Sequence, residues 1–263
     1  MRIQDIPFLK DHPSLSDARI KPAWLYTTRR YPLYWHHVAK NGGTFFKNLL
    51  YALDHDAVLA RSSDGHDWDE KLVRAVRTPK SRIRNSGHSI IIVRNPFRRF
   101  LSVYFNKVYD GGGPRPTGMS REFFDTHDID QSPDLDAAGH TRNCMKLADW
   151  GARNVLGVTK SKPNWHLVPQ MHQLAQVYDL NFRVLTLEDL EWQLQTVFAE
   201  LIPDINAKID LVQSRNRSRK SADFSAVMTP ELKQRLKETY ADDLRAFQHV
   251  RRHWREEKAK QPN

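Results

Sequence analysis

The chain has 263 residues, 40% of them apolar and 10% aromatic, which is enough for a sizeable packed core in one large domain or two small ones. Its 41 Lys and Arg residues exceed the 31 Asp and Glu residues, and the net charge of +10 favours anionic partners, although an ordinary basic surface has the same composition. The single cysteine, Cys144, excludes an intrachain disulfide. No apolar stretch reaches the roughly 18 residues of a membrane span, and the N-terminus has no signal layout, so a cytoplasmic protein without an integral membrane segment is expected.

The first part of the chain predicts an arm, a strand and a helix. Residues 1–30 are polar and interrupted by prolines, so they are expected to form an arm laid over the domain. Residues 31–39, YPLYWHHVA, predict a buried strand, and a helix is expected over 44–53, capped by Thr44. A short strand at 57–60 and a helix at 68–77 follow.

The middle of the chain contains its clearest strand. Residues 88–95, HSIIIVRN, include four consecutive apolar residues, which is typical of a strand covered on both faces. Pro96 suits the first turn of a helix that extends to about Tyr109. The loop at 111–118 belongs to an irregular insertion over 110–140, with one short helix near 120–126.

The last part of the chain predicts three more helices and one more strand. We expect a helix at 141–152, a strand at 182–187, a helix at 188–201, a loop at 203–227 and a Thr-capped helix at 229–248. Strands alternating with helices predict an α/β fold: a single P-loop-like domain over residues 1–263, with a central parallel sheet flanked by helices. Loops at the carboxyl ends of its strands would then carry the functional site.

The segment after the first predicted strand, KNGGTF, has the composition of an anion-binding turn. Gly42 and Gly43 let backbone N–H groups face a ligand without a Cβ in the way, and the following helix directs its positive end to the same point. Thr44 adds a hydroxyl donor and Lys40 a mobile charge. The lysine precedes the glycines and no Gly-Lys-Ser/Thr follows, which differs from a loop for ATP. Taken alone, a Gly-Gly turn is more often without a ligand.

A second candidate segment, VRNPFRRFLSVYF, lies at the end of the clearest strand. Arg94 ends the strand and Ser102 follows two helical turns later, so the two side chains can hold one further phosphate from two sides. Arg98 and Arg99 would add positive field, although arginines on a helix surface are usually only solvated.

Together the two segments resemble those of carbohydrate sulfotransferases. HVAKNGGTFFKNLL is similar to the family's 5′-phosphosulfate-binding loop, and VRNPFRRFLSVYFNK is similar to its 3′-phosphate-binding motif. NWHLVPQ (164–170), VLTLEDL, NRS and TPELKQRLKETYADDLRAF match weaker family patterns, so the resemblance runs in order from about residue 31 to 249. The family includes Golgi chondroitin- and heparan-type O-sulfotransferases and soluble bacterial relatives. Without a membrane anchor, the chain is placed nearer the bacterial branch.

The resemblance implies transfer of a sulfuryl group from 3′-phosphoadenosine 5′-phosphosulfate (PAPS) to a hydroxyl of an oligosaccharide or polysaccharide. It implies that Arg94 and Ser102 hold the 3′-phosphate. It also implies that Arg217, in the basic segment SRNRSRKS, closes over the nucleotide, although that segment is as readily a basic surface. The 5′-phosphosulfate would be held by the loop residues Lys40, Asn41, Gly42, Gly43, Thr44 and Phe45.

The chain departs from the family pattern in two places. Ala39 and Asn41 replace the Pro and Thr that usually flank the lysine, and neither change removes a charge. Leu167 and Val168 stand where the family often has Trp and Arg, which concerns contacts to the acceptor and not the fold.

The base of such a reaction is sought among twelve histidines, because imidazole suits proton abstraction near neutral pH. His66, after the second predicted strand, is the first choice and His166, inside NWHLVPQ, the second, each in competition with a purely structural role. His37 is more readily a structural residue. Lys40 would stabilise charge on the departing phosphate. No metal is expected, because a sulfonate carries less charge than a phosphoryl group and the sequence has no tight His and Cys cluster.

The acceptor is expected to be a neutral or anionic carbohydrate, presented by the segments 110–140 and 160–172, and no nucleic-acid partner is expected.

Three other functions stay open at this point. A P-loop-type nucleotide kinase lacks its Gly-Lys-Ser/Thr here, and a basic nucleic-acid-binding protein would bind in a strongly salt-dependent way. A non-catalytic binder of the same nucleotide is the third.

Overall fold

The computed structural model describes residues 1–13, 25–59, 71–75, 78–109, 119–213 and 225–261. Its strands are β1 Leu25–Thr27, β2 Tyr34–His36, β3 Val73–Arg74, β4 Ser89–Val93 and β5 Arg183–Thr186. Its α-helices are α1 Gly43–His55, α2 Lys80–Asn85, α3 Pro96–Lys107, α4 Arg121–Thr126, α5 Ala137–Val155, α6 Gln170–Ala175, α7 Leu190–Phe198, α8 Ile205–Gln213 and α9 Pro230–Ala259. None of these helices is long and apolar enough to cross a membrane.

The strands form one mixed sheet in the order β3-β1-β2-β4-β5. The strands β2, β4 and β5 are parallel, with Trp35 opposite Ile90 and Ile91 opposite Val184. The strand β1 pairs antiparallel with both β2 and β3. The expected parallel sheet is therefore limited to three strands, because β1 and β2 are joined by a short turn, which reverses the chain direction.

The chain divides into two compact units. The first consists of Met1–Arg94, Gln170–Ser218 and Ala246–Asn263, and the second of Asn95–Pro169 and Arg219–Arg245. Each unit has its own hydrophobic cluster. The single domain expected from the sequence stays a prediction.

The core of the first unit includes residues that were expected to be an outer arm. Ile3, Ile6 and Leu9 are completely buried, and Ile3 N donates to the carbonyl of Phe182. The strand β1 also lies within the predicted arm. These apolar residues are interspersed with charged and polar ones, so the composition of residues 1–30 does not show that the start of the arm packs into the core.

The second unit contains α3, α4, α5 and the first part of α9, packed around aromatic and aliphatic side chains. The helix α9 has non-helical backbone angles at Tyr240, whose hydroxyl donates to the carbonyl of Leu167 at 2.8 Å. Arg99 is 2% exposed and donates to the carbonyl of Val168 at 3.0 Å. The expectation that Arg99 adds field to a ligand site is thus wrong, because its guanidinium is buried in its own unit, whereas Arg98 is exposed.

Several predicted elements are confirmed and three are wrong. The strands at 31–39, 88–95 and 182–187 and the helices at 44–53, 96–109, 120–126, 141–152, 188–201 and 229–248 are present with shifted ends. Residues 57–59 form no strand, and β3 stands inside the predicted helix 68–77. The predicted loop 203–227 contains α8.

Candidate anion-binding site

The turn between β2 and α1 is built from two residues in the left-handed backbone region. Lys40 has φ +68° and Gly42 has φ +79°. Glycine adopts this conformation without penalty, whereas a lysine there costs about 1 kcal/mol. A strained residue at the start of this turn is consistent with a functional role for Lys40.

Side chains pack closely against Gly42 and Gly43. A Cβ at Gly42 would lie 2.6 Å from Leu187 Cδ1, and a Cβ at Gly43 would lie 2.6 Å from His37 Nε2. From the sequence alone, the two glycines are explained only because they would let a ligand approach the backbone N–H groups. In the structure, side chains of the first unit occupy the space beside them.

The N-terminus of α1 has no side-chain cap. Gly42 is the N-cap residue, so the predicted cap, Thr44, is instead the second residue of the helix and is exposed. Phe45 follows and is half-buried. The first turn carries no acidic residue, and the first N–H groups of a helix have no partner within it. These features suit an anion, which the helix dipole would also favour.

Arg94 lies directly beside this turn. Its Nη1 donates to the carbonyl of Lys40 at 3.0 Å, and its own backbone is held by the side chain of Gln170. Two segments separated by about fifty residues in sequence therefore meet in one place. Arg94 and the loop Lys40–Phe45 are the predicted site residues that the structure brings together.

Gln170 is the residue at this site that sequence reasoning missed. NWHLVPQ was noted as a family-like segment, but its last residue was given no role. The side chain is 2% exposed and bonds both Arg94 and Asn41. The sequence shows only that a polar residue, Gln170, stands at the end of that segment, and this does not reveal which residues its side chain bonds.

The remaining predicted residues are in the second unit or outside the described residues. Ser102 on α3 and His166 belong to the second unit, where both are half-buried. The carbonyl of Ser102 accepts from Asn106 Nδ2 at 2.9 Å, and His166 N donates to Asn164 Oδ1 at 3.0 Å. His66 and Arg217 lie outside the described residues.

A cavity of about 840 Å³ in the first unit is lined by Phe45 and Leu187, two residues that also belong to or contact the turn. Its other lining residues include Trp192, Lys258 and the carboxylates Glu188, Asp189, Glu191 and Asp210. Carboxylates repel phosphate, so this cavity suits an uncharged, hydrogen-bond-donating part of a ligand and not its anionic part.

Two histidines next to the turn have different surroundings. Burial lowers the pKa of His36 to about 4, so this side chain is neutral in the folded protein at pH 7. The ring of His37 is half-buried and lies 5.1 Å from that of Trp35, with Nε2 towards Gly43. The structure thus places His37 against the loop, and this residue had been ranked as the least favoured base.

Among the residues that the structure describes, no group of three or more His, Cys, Asp or Glu side chains could hold a metal ion. The expectation of a reaction without a metal stays a prediction.

Comparison with known proteins places these features in context. The family model described as "Sulfotransferase family" matches residues 25–249, which is most of the chain. No curated protein and no solved structure gives a significant match.

Proposed function

Since the chain belongs to the sulfotransferase family, we propose that it transfers a sulfuryl group from PAPS to a hydroxyl of a carbohydrate acceptor. Membership of this family supports an enzyme that transfers sulfate. The donor, the acceptor class and the residues assigned below are parts of the proposal.

The observation that carries the proposed donor is the uncapped N-terminus of α1 beside the guanidinium of Arg94. The backbone N–H groups of Gly43, Thr44 and Phe45 open a helix with no acidic residue in its first turn. Arg94 Nη1 is held 3.0 Å from the carbonyl of Lys40. One ligand with two separated anionic groups, as in PAPS, would use both features. PAPS supplies an activated sulfuryl group whose departure leaves a phosphate.

We assign the loop Lys40–Phe45 to the 5′-phosphosulfate. Negative charge develops on the bridging oxygen as its bond to sulfur breaks, and the ammonium group of Lys40 stabilises that charge. Arg94 and Ser102 bind the 3′-phosphate, and Arg217 covers the nucleotide. The acidic cavity beside Phe45 would accept the amino group of an adenine and not a phosphate.

The base takes the proton of the acceptor hydroxyl as the new oxygen–sulfur bond forms. We keep His66 as the first candidate and His166 as the second. The contact of His37 with Gly43 adds a third candidate that variants can separate from the other two.

The proposed acceptor is an oligosaccharide or polysaccharide. The net charge of +10 supports an acceptor that itself carries negative charge. We further propose a cytoplasmic protein of the bacterial type.

Thermal unfolding tests the donor. Adenosine 3′,5′-bisphosphate should raise the melting temperature more than ADP does, because only the former fills both phosphate sites. The Arg94→Ala variant should lose this extra shift, whereas Arg98→Ala, which changes an exposed arginine, should keep it. Equal shifts with the two nucleotides in the wild type would count against the proposed donor, and transfer of labelled sulfate to a glycan panel would identify the acceptor.

A further inference from the structure

The side-chain amide of Gln170 bonds both backbone groups of Arg94, as a neighbouring strand would. Its Oε1 accepts from Arg94 N at 2.9 Å, and its Nε2 donates to the carbonyl of Arg94 at 2.9 Å. Arg94 lies one residue beyond the end of β4. Gln170 therefore fixes the backbone from which the guanidinium of Arg94 extends.

The same amide reaches the glycine turn through Asn41. Gln170 Oε1 also accepts from Asn41 Nδ2 at 2.6 Å, and this nitrogen donates to the carbonyl of Ile92 at 2.7 Å. Asn41 is 1% exposed and lies between Lys40 and Gly42, the two left-handed residues of the turn. Its side chain is directed at β4 and Gln170, which makes it an anchor of the turn.

These contacts have a consequence for a ligand with two anionic ends. The covalent structure of such a ligand fixes the distance between its ends, so its two binding segments must be held at a matching distance. A displacement of about 1 Å in a positioned group can cost on the order of 100-fold in activity. Gln170 and Asn41 are neutral, so they fix this distance without adding charge near an anion.

We propose that Gln170, acting with Asn41, is a positioning residue that sets the separation between the loop Lys40–Phe45 and Arg94. This inference rests on the proposed function, because it assumes a donor that contacts both segments. It assigns a role to Asn41, which stands where the family has Thr, and to Gln170 at the end of NWHLVPQ. Gln170 acts through Arg94 and the loop and is not a catalytic residue.

Calorimetric titration with two nucleotides tests the inference. Adenosine 3′,5′-bisphosphate contacts both segments, whereas adenosine 5′-monophosphate contacts only the loop. In Gln170→Met, which keeps length but removes the amide, bisphosphate affinity should fall at least tenfold and monophosphate affinity less than threefold. A residue needed only for stability would weaken both ligands by the same factor.

Gln173→Met is the matched control. Gln173 is on the same helix, α6, is completely buried, and its Oε1 accepts from Ala39 N at 3.3 Å. This variant should keep the wild-type ratio of the two affinities. Gln170→Asn keeps a neutral amide but shortens the side chain by one methylene, so the amide no longer reaches Arg94 and Asn41 together; it should also lower the ratio and serves if Gln170→Met does not fold.

The outcomes separate the inference from the proposed function. A wild type that does not prefer the bisphosphate overturns the proposed function, and this inference with it. A wild type that has the preference, with folded Gln170→Met and Gln170→Asn variants that keep the ratio within twofold, overturns only the positioning role.

Discussion

The guanidinium of Arg94 donates a hydrogen bond to the backbone carbonyl of Lys40 across 3.0 Å. This bond joins the end of β4 to the turn before α1, the two segments that the sequence marks as separate anion-binding candidates. It also holds Lys40 in a left-handed conformation, with φ +68°. The arrangement makes the lysine the first residue to test.

Replacing Lys40 by alanine should lower turnover at least 100-fold, because the charge on the departing phosphate loses its cation. The melting temperature should hardly change, since alanine has the same left-handed penalty as lysine at this position. Lys40→Gly should be equally inactive but more stable by about 1 kcal/mol, because glycine removes the penalty. Lys47→Ala, a change on α1, is the control, and retained turnover in Lys40→Ala would remove Lys40 from the mechanism.

The base can be identified by three alanine variants. His66→Ala should lower the turnover number by about 10²–10⁴-fold while leaving nucleotide affinity nearly unchanged, which is the effect of removing a general base. His166→Ala and His37→Ala should have smaller effects. Steady-state kinetics and nucleotide titration of all three variants check this ranking, and it is reversed if His166→Ala or His37→Ala alone produces the loss.

Gly43→Ala should show how tightly His37 packs against the turn. The new Cβ would lie 2.6 Å from His37 Nε2, so the imidazole must move, at a cost of about 1 kcal/mol. His37→Ala should remove most of this cost when the two changes are combined. Urea unfolding of the two single variants and the double variant measures the coupling, and strictly additive effects would show that the two residues do not press on each other.

Burial of His36 predicts a dependence of stability on pH. Its pKa is lowered from 6.5 to about 4, so between these values the unfolded chain binds a proton that the folded chain does not. The stability contributed by neutral His36 is complete above pH 6.5 and declines as the pH falls towards 4. At pH 5 the loss from this residue is about 2 kcal/mol.

The measurement is the difference in unfolding free energy between pH 7.5 and pH 5, for the wild type and for His36→Phe. The variant should show a smaller difference than the wild type does. If His36→Phe and the wild type show the same difference in unfolding free energy between the two pH values, the lowered pKa of His36 is contradicted.

Arg99 and Asp243 are buried residues of opposite charge in the second unit. They are 2% and 1% exposed, and burial lowers the pKa of Arg99 while Tyr240 and Asp243 act to raise it. Asp243→Asn should cost about 3–5 kcal/mol, because the guanidinium would lose a charged neighbour in a buried place.

Asp242→Asn is the control for this pair. Asp242 is the adjacent residue, and its ion pair with Arg245, at 2.6 Å, is exposed. Its loss should cost less than about 1 kcal/mol. Chemical denaturation compares the two variants, and equal costs would show that burial does not distinguish the two carboxylates.

Local chemistry made parts of the fold predictable. The apolar run IIIV forms β4, which is buried throughout, and Pro96 opens α3 behind Asn95, whose side chain accepts from the N–H groups of Phe97 and Arg98. These features depend on residues within a few positions of one another. For the same reason α8 was missed, because its pattern of apolar residues is short and lies in a polar stretch.

The sequence by itself determined the turn of Lys40–Gly43, the strand ending just before Arg94 and the family to which the chain belongs. Only the tertiary structure decided that β1 runs antiparallel to β2, that Arg99 is buried, and that Gln170 bonds Arg94 from 76 residues away. The physical reason is that backbone preferences act between near neighbours, whereas a hydrogen bond between distant residues exists only after the whole sheet and its helices have packed.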